Sequence, residues 1–260
     1  MTTDLLPLLL AAMSGGIVAL LLTLFGGGGS VLAVPLLLYV VGVQDPHVAI
    51  GVSAAGVALN ALTALAGHAR AGRVLWPCAT LFAITGATGA WFGSTLAKMI
   101  DGHQLLLIFA VAMAAVGVSM LRPRAALAGS EPRLTWAMSP GVGLTGIGVG
   151  SAAGFFGIGG GFLIVPGLMA STGMSLATAQ ATSLLSVAAF GATTAGNYAL
   201  SGWLDWSLVA AMAAGGLVGT TAGLPLARRL GSNAVLGRRL FAGLILIVAA
   251  YVAIRAASGV

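Results

Sequence analysis

Two glycine runs hold the residues best suited to chemistry. Gly26-Gly-Gly-Gly-Ser30 and Gly157-Ile-Gly-Gly-Gly161 interrupt stretches that are otherwise apolar. Glycine inside a helix costs about 1 kcal/mol relative to alanine, so a run of glycines breaks a helix. Broken backbone at membrane depth persists only inside protein or beside water. Each break creates a helix N-terminus, with unpaired N–H groups and partial positive charge. Such an end holds an anion without a charged side chain. The candidate donors are Gly27, Gly28, Gly29 and Ser30 in the first run, and Gly159, Gly160 and Gly161 in the second. A tight interfacial turn is the competing reading. A nucleotide loop is not, because no Gly-Lys-Ser/Thr follows and no strand precedes. The first run has the composition of an artificial linker, but its counterpart at 157–161 marks it as native.

Polar side chains recur at helical spacing nearby. Ser53, Gly56, Asn60, Thr63 and Gly67 fall on one face of a helix, as do Ser183, Ser186, Phe190, Thr193 and Asn197. Gln180 and Thr194 lie near the second face, and Thr182 adjoins Ser183. For the serines and glycines, close helix packing competes equally with ligand contact. A buried amide is costly unless partnered, so Asn60, Asn197 and Gln180 read as functional.

Titratable groups are sparse. Asp45, Asp101, Glu131 and Asp205 fall at segment ends or in loops, so no carboxylate sits mid-membrane to couple a proton or sodium ion. His68, near the inner end of a segment, is the candidate for a proton-linked role, against the plainer reading of an interfacial histidine. His47 and His103 read as loop residues. No triad or metal-ligand cluster emerges, so neither an enzyme, a metal nor a cofactor is expected. The single cysteine, Cys78, rules out an internal disulfide.

The elements that position these residues are membrane helices. The chain is 59% hydrophobic and only 6% charged over 260 residues. A soluble domain carries roughly 25% charged residues. Apolar segments fall at 5–24, 31–43, 47–68, 74–99 and 103–121, then at 137–156, 162–173, 176–197, 204–227 and 235–256. A basic link, Arg122 to Arg133, divides the two sets. The second segment of each set is short for a full crossing, and reads as a tilted helix or one arm of a re-entrant hairpin. The N-terminal stretch lacks a basic n-region and a cleavage pattern, so it is expected to stay in the mature protein. The net charge of +6 sits in short loops, as topology signals do, and nucleic-acid binding is not expected.

The two sets repeat one another. Phe25 to Pro35 parallels Phe156 to Pro166 at an offset of 131. Ser53 with Ser183, Gly72 with Gly202 and Trp76 with Trp206 pair at an offset of 130, as do Gly86, Gly89 and Gly93 with Gly216, Gly219 and Gly223. The organisation expected is a first transmembrane repeat at 1–121, a cytoplasmic linker at 122–135 and a second repeat at 136–260. By the positive-inside rule, Arg70, Arg73, the link and Arg228 to Arg239 lie in the cytoplasm. That holds for all of them only if each repeat crosses an odd number of times. The repeats are then inverted, with glycine-broken helices meeting near the midplane, which is a pattern of secondary transporters.

The paired motifs Phe25-Gly-Gly-Gly-Gly-Ser30 with Val34-Pro35, Phe156-Gly-Ile-Gly-Gly-Gly161 with Val165-Pro166, and Thr182-Ser183-Leu-Leu185 resemble the TauE/SafE family. That family comprises sulfite and organosulfonate exporters, and is also called the four-toluene-sulfonate uptake permease family. The resemblance spans essentially the whole chain and implies movement of sulfur-containing anions such as sulfite, thiosulfate or organosulfonates, in either direction. The first half has Gly51-Val-Ser53 where the second has Ala181-Thr-Ser183, so the half-sites are expected to differ.

The expected protein is an all-α, multi-pass protein of the bacterial inner membrane that moves a small anion by alternating access. Side-chain contacts are expected from Ser53, Asn60, Gln180, Thr182, Ser183 and Asn197. The membrane potential favours outward movement by about 2.3 kcal/mol per charge per 100 mV, which points to export. An anion channel, or a permease importing the anion with protons, are the alternatives. The partners are the bilayer and the anion, with a homodimer left open.

Overall fold

The computed structural model describes residues 5–121, 139–159, 161–230 and 234–258. The link at 122–135 and Gly160 lie outside the described residues. All described elements are helical: α1 (Leu5–Phe25), α2 (Ala33–Leu36), α3 (Pro46–Arg70), α4 (Trp76–Ala97), α5 (Gly102–Leu121), α6 (Ser139–Phe156), α7 (Gly161–Thr172), α8 (Leu176–Leu200), α9 (Trp206–Leu230) and α10 (Ala234–Ser258). A 3-10 stretch, Gly26–Leu32, leads into α2, and a π turn, Leu37–Val41, follows it.

Local chemistry sets the ends. Asp45 caps α3 by accepting from the His47 N–H at 2.8 Å, with Pro46 in the first turn. Ser175 caps α8 through the Thr178 N–H. Asp205 caps α9 through the Ser207 and Leu208 N–H groups. Burial works against the Asp205 charge. Hydrogen bonds from Ser207 and Leu208 outweigh it and hold the carboxyl below its usual value. Gly72 and Gly202, matched in the two halves, turn the chain at φ +65° and +74° after α3 and α8.

Among the described residues, five helices are long and apolar enough to cross a membrane: Leu5–Leu24, Pro46–Arg70, Gly102–Ser119, Leu176–Leu200 and Trp206–Gly223. Shorter apolar helices accompany them at Gly29–Val41, Pro140–Phe156, Leu163–Thr172 and Ala242–Ala257. Ile84, Phe92, Val111, Ile247 and Ile254 are exposed on the outside of this bundle, where lipid solvates them.

The halves interlock. α1 packs along α9, α4 along α6, and α5 against α10, while α3 and α8 cross at the centre. Small residues bring the backbones together. A Cβ on Gly15 or Gly219 would collide with the partner backbone, and the same holds for Gly89, Gly93, Gly150 and Gly154.

Those contacts also give direction. Gly86 meets Gly150 and Ala90 meets Gly154, so α4 and α6 run parallel. Ala12 meets Gly215 and Gly16 meets Gly219, so α1 and α9 run parallel. Gly56 meets Met212 and Asn60 meets Gly216, which adds α3 to that direction. Leu75 reaches Thr182 and Ser94 reaches Asn197, which sets α8 with α4. Thus α1, α3 and α9 point one way, and α4, α6 and α8 the other. Arg70 ends α3 at the face where α9 also ends and where α4 begins just after Arg73.

Candidate functional site

The second glycine break is an irregular turn sealed inside the bundle. Gly157 and Gly159 have φ of +64° and +62°, the left-handed region that side chains disfavour. A Cβ on Gly157 would run into Ile50 of α3, and one on Gly159 would lie 2.9 Å from Val57 of α3 and 3.1 Å from Val187 of α8. Glycine is therefore required twice over, by backbone angle and by space. The fully buried Ser53 hydroxyl donates to the Gly157 carbonyl at 3.2 Å and ties the turn to α3. α7 starts at Gly161, immediately after the turn.

The first break takes a different form. Gly26 to Leu32 wind as a 3-10 helix that continues α1, rather than opening into an unpaired N-terminus. Gly29 lies against the α1 backbone at Leu21 and Leu22, and Ser30 is fully buried. Winding of this kind spends backbone N–H groups on carbonyls three residues back. Downstream, Pro35 withholds its N–H, and the helix widens into the π turn before Gly42 at φ +86°. α7 packs directly on the Gly26–Leu32 stretch. The helix that follows the turn thus lies on the glycine stretch near the other end of the sequence, and that stretch also touches α8.

The polar side chains divide into groups. Ser53 belongs to the turn itself. Asn60, 1% exposed, faces α9, where Gly216 leaves room for its carboxamide. Its Nδ2 is buried without a hydrogen-bond partner. The matched position in the other half, Phe190, fills the matched space at Gly86 with a benzyl ring. One pocket motif therefore holds an amide in one half and an aromatic ring in the other. Ser183 is buried and donates back to the Gln180 carbonyl at 2.8 Å, and Gln180 lies half-buried one turn earlier. Ser186, also fully buried, leaves its hydroxyl without a partner.

Thr182 and Asn197 serve helix α4. Thr182 Oγ1 accepts from the Leu75 N–H at 3.2 Å, at the start of α4, where Leu75 provides no side-chain cap. Asn197 Nδ2 donates to Ser94 Oγ at 2.7 Å, Thr95 Oγ1 at 2.9 Å and the Trp91 carbonyl at 3.3 Å, all near its end. The two residues stand ~22 Å apart along α8, so one small anion cannot touch both. Sequence reasoning also missed Lys98, the chain's single lysine. Its ammonium donates to Asn197 Oδ1 at 2.6 Å, the Asn197 carbonyl at 3.1 Å and Ser201 Oγ at 2.9 Å. All three ammonium hydrogens are thereby used to clamp α4 to α8. Asp101, three residues on, is no partner for it in these hydrogen bonds and caps α5 through the His103 N–H. His68 is half-buried in the last turn of α3, at the end that carries Arg70, and its Nδ1 has no partner.

No group of three or more metal-ligating side chains occurs among the described residues. The family model described as "Sulfite exporter TauE/SafE" matches residues 11–252. The chain belongs to this family. TauE/SafE proteins are transporters, so this chain is a membrane transporter and not an enzyme, and a multi-pass protein of the bacterial inner membrane. Two relatives named "Probable membrane transporter protein", from Xylella fastidiosa strains Temecula1 and 9a5c, are each 45% identical over 240 residues, covering 92% of both chains. "Probable membrane transporter protein YunE" of Bacillus subtilis is 24% identical over 227 residues, covering 79% of this chain and 83% of that one. No solved structure matches the chain.

Proposed function

We propose that this TauE/SafE protein is a secondary transporter that exports a small sulfur-containing anion, such as sulfite, thiosulfate or an organosulfonate, by alternating access. The observation that carries the reading is the buried left-handed turn at Gly157 and Gly159 that leads into α7, the helix that packs on the Gly26–Leu32 stretch. In this reading the N–H groups at Gly159, Gly160 and Gly161 form the main anion cradle. Gly27, Gly28 and Gly29 supply a close, side-chain-free surface opposite, with Ser30 beside them. Ser53, Gln180 and Ser183 flank the cradle on α3 and α8, and Asn60, further along α3, acts from the gap at Gly216 of α9. Thr182 and Asn197 act at second hand, by holding α4.

The opposed directions of α1 and α6, α3 and α8, and α4 and α9 support two inverted repeats, 1–121 and 136–260, joined by a cytoplasmic linker at 122–135. Arg70 and the C-terminal end of α9 then mark the cytoplasmic face. A neutral cradle suits a carrier, because a guanidinium clamp would slow release. An inside-negative potential drives the bound anion outward, so export needs no coupling ion. His68 is the residue through which a proton could enter the cycle.

Purified protein in liposomes provides the test. Saturable, trans-stimulated flux of sulfite, thiosulfate or methanesulfonate is expected. Single-channel currents would replace the carrier with a pore, and absence of flux for every sulfur anion would remove the substrate assignment.

A further inference from the structure

Three aromatic rings meet at the face opposite Arg70. They come from separate parts of the chain: His47 from the first turn of α3, Tyr198 from the last turn of α8, and Trp203 from the connection between α8 and α9. His47 stacks on Trp203, with centroids 4.6 Å and planes 19° apart. Tyr198 completes the triangle, 6.0 Å from Trp203 and 6.2 Å from His47. All three distances fall within the ~4.5–7 Å of attractive ring pairs. Trp203 is also tied to α8, its N–H donating to the Tyr198 carbonyl at 3.1 Å.

The rings sit over the central turn. Gly51, one helical turn after His47, has no room for a side chain: a Cβ there would lie 2.5 Å from the Trp203 carbonyl oxygen and 3.1 Å from Tyr198 Cβ. Its neighbours Ile50 and Ser53 are the residues that touch Gly157. Tyr198, fully buried, shares one apolar cluster with Ile50 and with Ile158 of the turn. The rings therefore stand between the turn and the face where α3 begins and α8 ends. They meet by stacking and not by hydrogen bonds, since the Tyr198 hydroxyl and His47 Nδ1 are both buried without a hydrogen-bond partner. Parting them breaks no directional bond and brings two polar atoms to water, which offsets the lost ring contact. The opposite face is built otherwise. At the offset of 130, Tyr198 answers to His68, Trp203 to Arg73 and His47 to Ala177, so two of the three positions hold no ring. There His68 is half-buried, and Arg73 and Ala177 are exposed.

We propose that His47, Tyr198 and Trp203 are the outer gate of the transport cycle, shut in this structure, and that it opens when His47 parts from the other two rings. The proposal rests on the alternating-access reading. His47 belongs to the first half of the chain and Tyr198 and Trp203 to the second, so movement of one half against the other separates them. Sealing comes from ring bulk and stacking, directly above Ser53 and the Gly157 turn.

The test reads access rather than flux. Ser53 is fully buried beside the turn, so Ser53→Cys serves as the reporter, in the full chain carrying Cys78→Ser. Right-side-out and inside-out membrane vesicles are treated with a membrane-impermeant methanethiosulfonate. Trp203→Ala and Tyr198→Ala should each speed labelling from the outer face at least about tenfold, the scale of one lost aromatic contact with its burial, with no gain from the inner face. Tyr198→Phe keeps the ring and removes the unpartnered hydroxyl, so it should label no faster than the parent. Unchanged outer labelling in either alanine variant, a gain from the inner face alone or from both faces equally, or faster outer labelling in Tyr198→Phe would each overturn the gate. Should the gate behave as expected while liposomes show no flux of any sulfur anion, the substrate assignment alone is lost.

Discussion

Replacing Gly157 with alanine tests the central turn directly. The native φ of +64° places an L-residue in the left-handed region, at a cost of roughly 1–2 kcal/mol. The new methyl would also lie 3.1 Å from both Ile50 Cβ and the Ile50 carbonyl, and closer still to Ile50 Cγ2. Overpacking of that kind costs about 1–3 kcal/mol. The expected loss is therefore about 2–5 kcal/mol, against a total stability of about 5–15 kcal/mol for a domain. Gly157→Ala should insert and fold, melt at a lower temperature in nanodiscs, and lose at least about tenfold in flux, because misplacing a seat by about 1 Å has effects of that order. Ile50→Ala removes Cγ2 and so relieves only the steric part. A double-mutant cycle should show favourable coupling of about 1–3 kcal/mol between the two substitutions. Wild-type stability and flux in Gly157→Ala would refute both the buried position of the turn and its role.

Ser53→Ala should cost about 0.5–1.5 kcal/mol in nanodisc melts, for one lost bond to the Gly157 carbonyl, and should lower flux more than its stability effect explains. Asn60→Leu should be neutral or stabilising, because Nδ2 is buried without a partner, yet should reduce flux; a large destabilisation would show that the amide is paired. Asn197→Leu should destabilise by about 3 kcal/mol, since it removes one partner each from Lys98, Ser94 and Thr95, and Lys98→Met should show strong coupling to it in a melting cycle. The Asp205 cap should be pH-sensitive: its folded carboxyl is held below the usual value, so the stability it adds is complete at neutral pH. That contribution should fade only as acid takes pH below the ordinary aspartate value of about 3.9, and Asp205→Ala melts should lose that dependence.

Much of the architecture follows from composition and spacing. Helices dominate the described residues because 59% of the chain is hydrophobic and 6% is charged, so backbone polar groups must be satisfied within each segment. The recurrence of Trp76 with Trp206 and Gly72 with Gly202 at an offset of 130 was also legible, and it is the ground for proposing two related halves. Turn chemistry was also local: glycine allows the left-handed turns after α3 and α8, and Asp45, Ser175 and Asp205 cap from within their own segments.

Packing between distant segments decided the rest. The matching glycine runs became a wound 3-10 stretch in one half and a left-handed turn in the other, because Gly29 settles on α1 while Gly157 is wedged against Ile50 and held by Ser53. Spacing placed Asn60 and Asn197 on helix faces but could not say what those faces meet. Asn60 enters the gap at Gly216 of α9, whereas Asn197 is consumed by α4 and Lys98. Hydrogen bonds between residues about a hundred positions apart depend on which helices become neighbours, and helical periodicity carries no record of the neighbour.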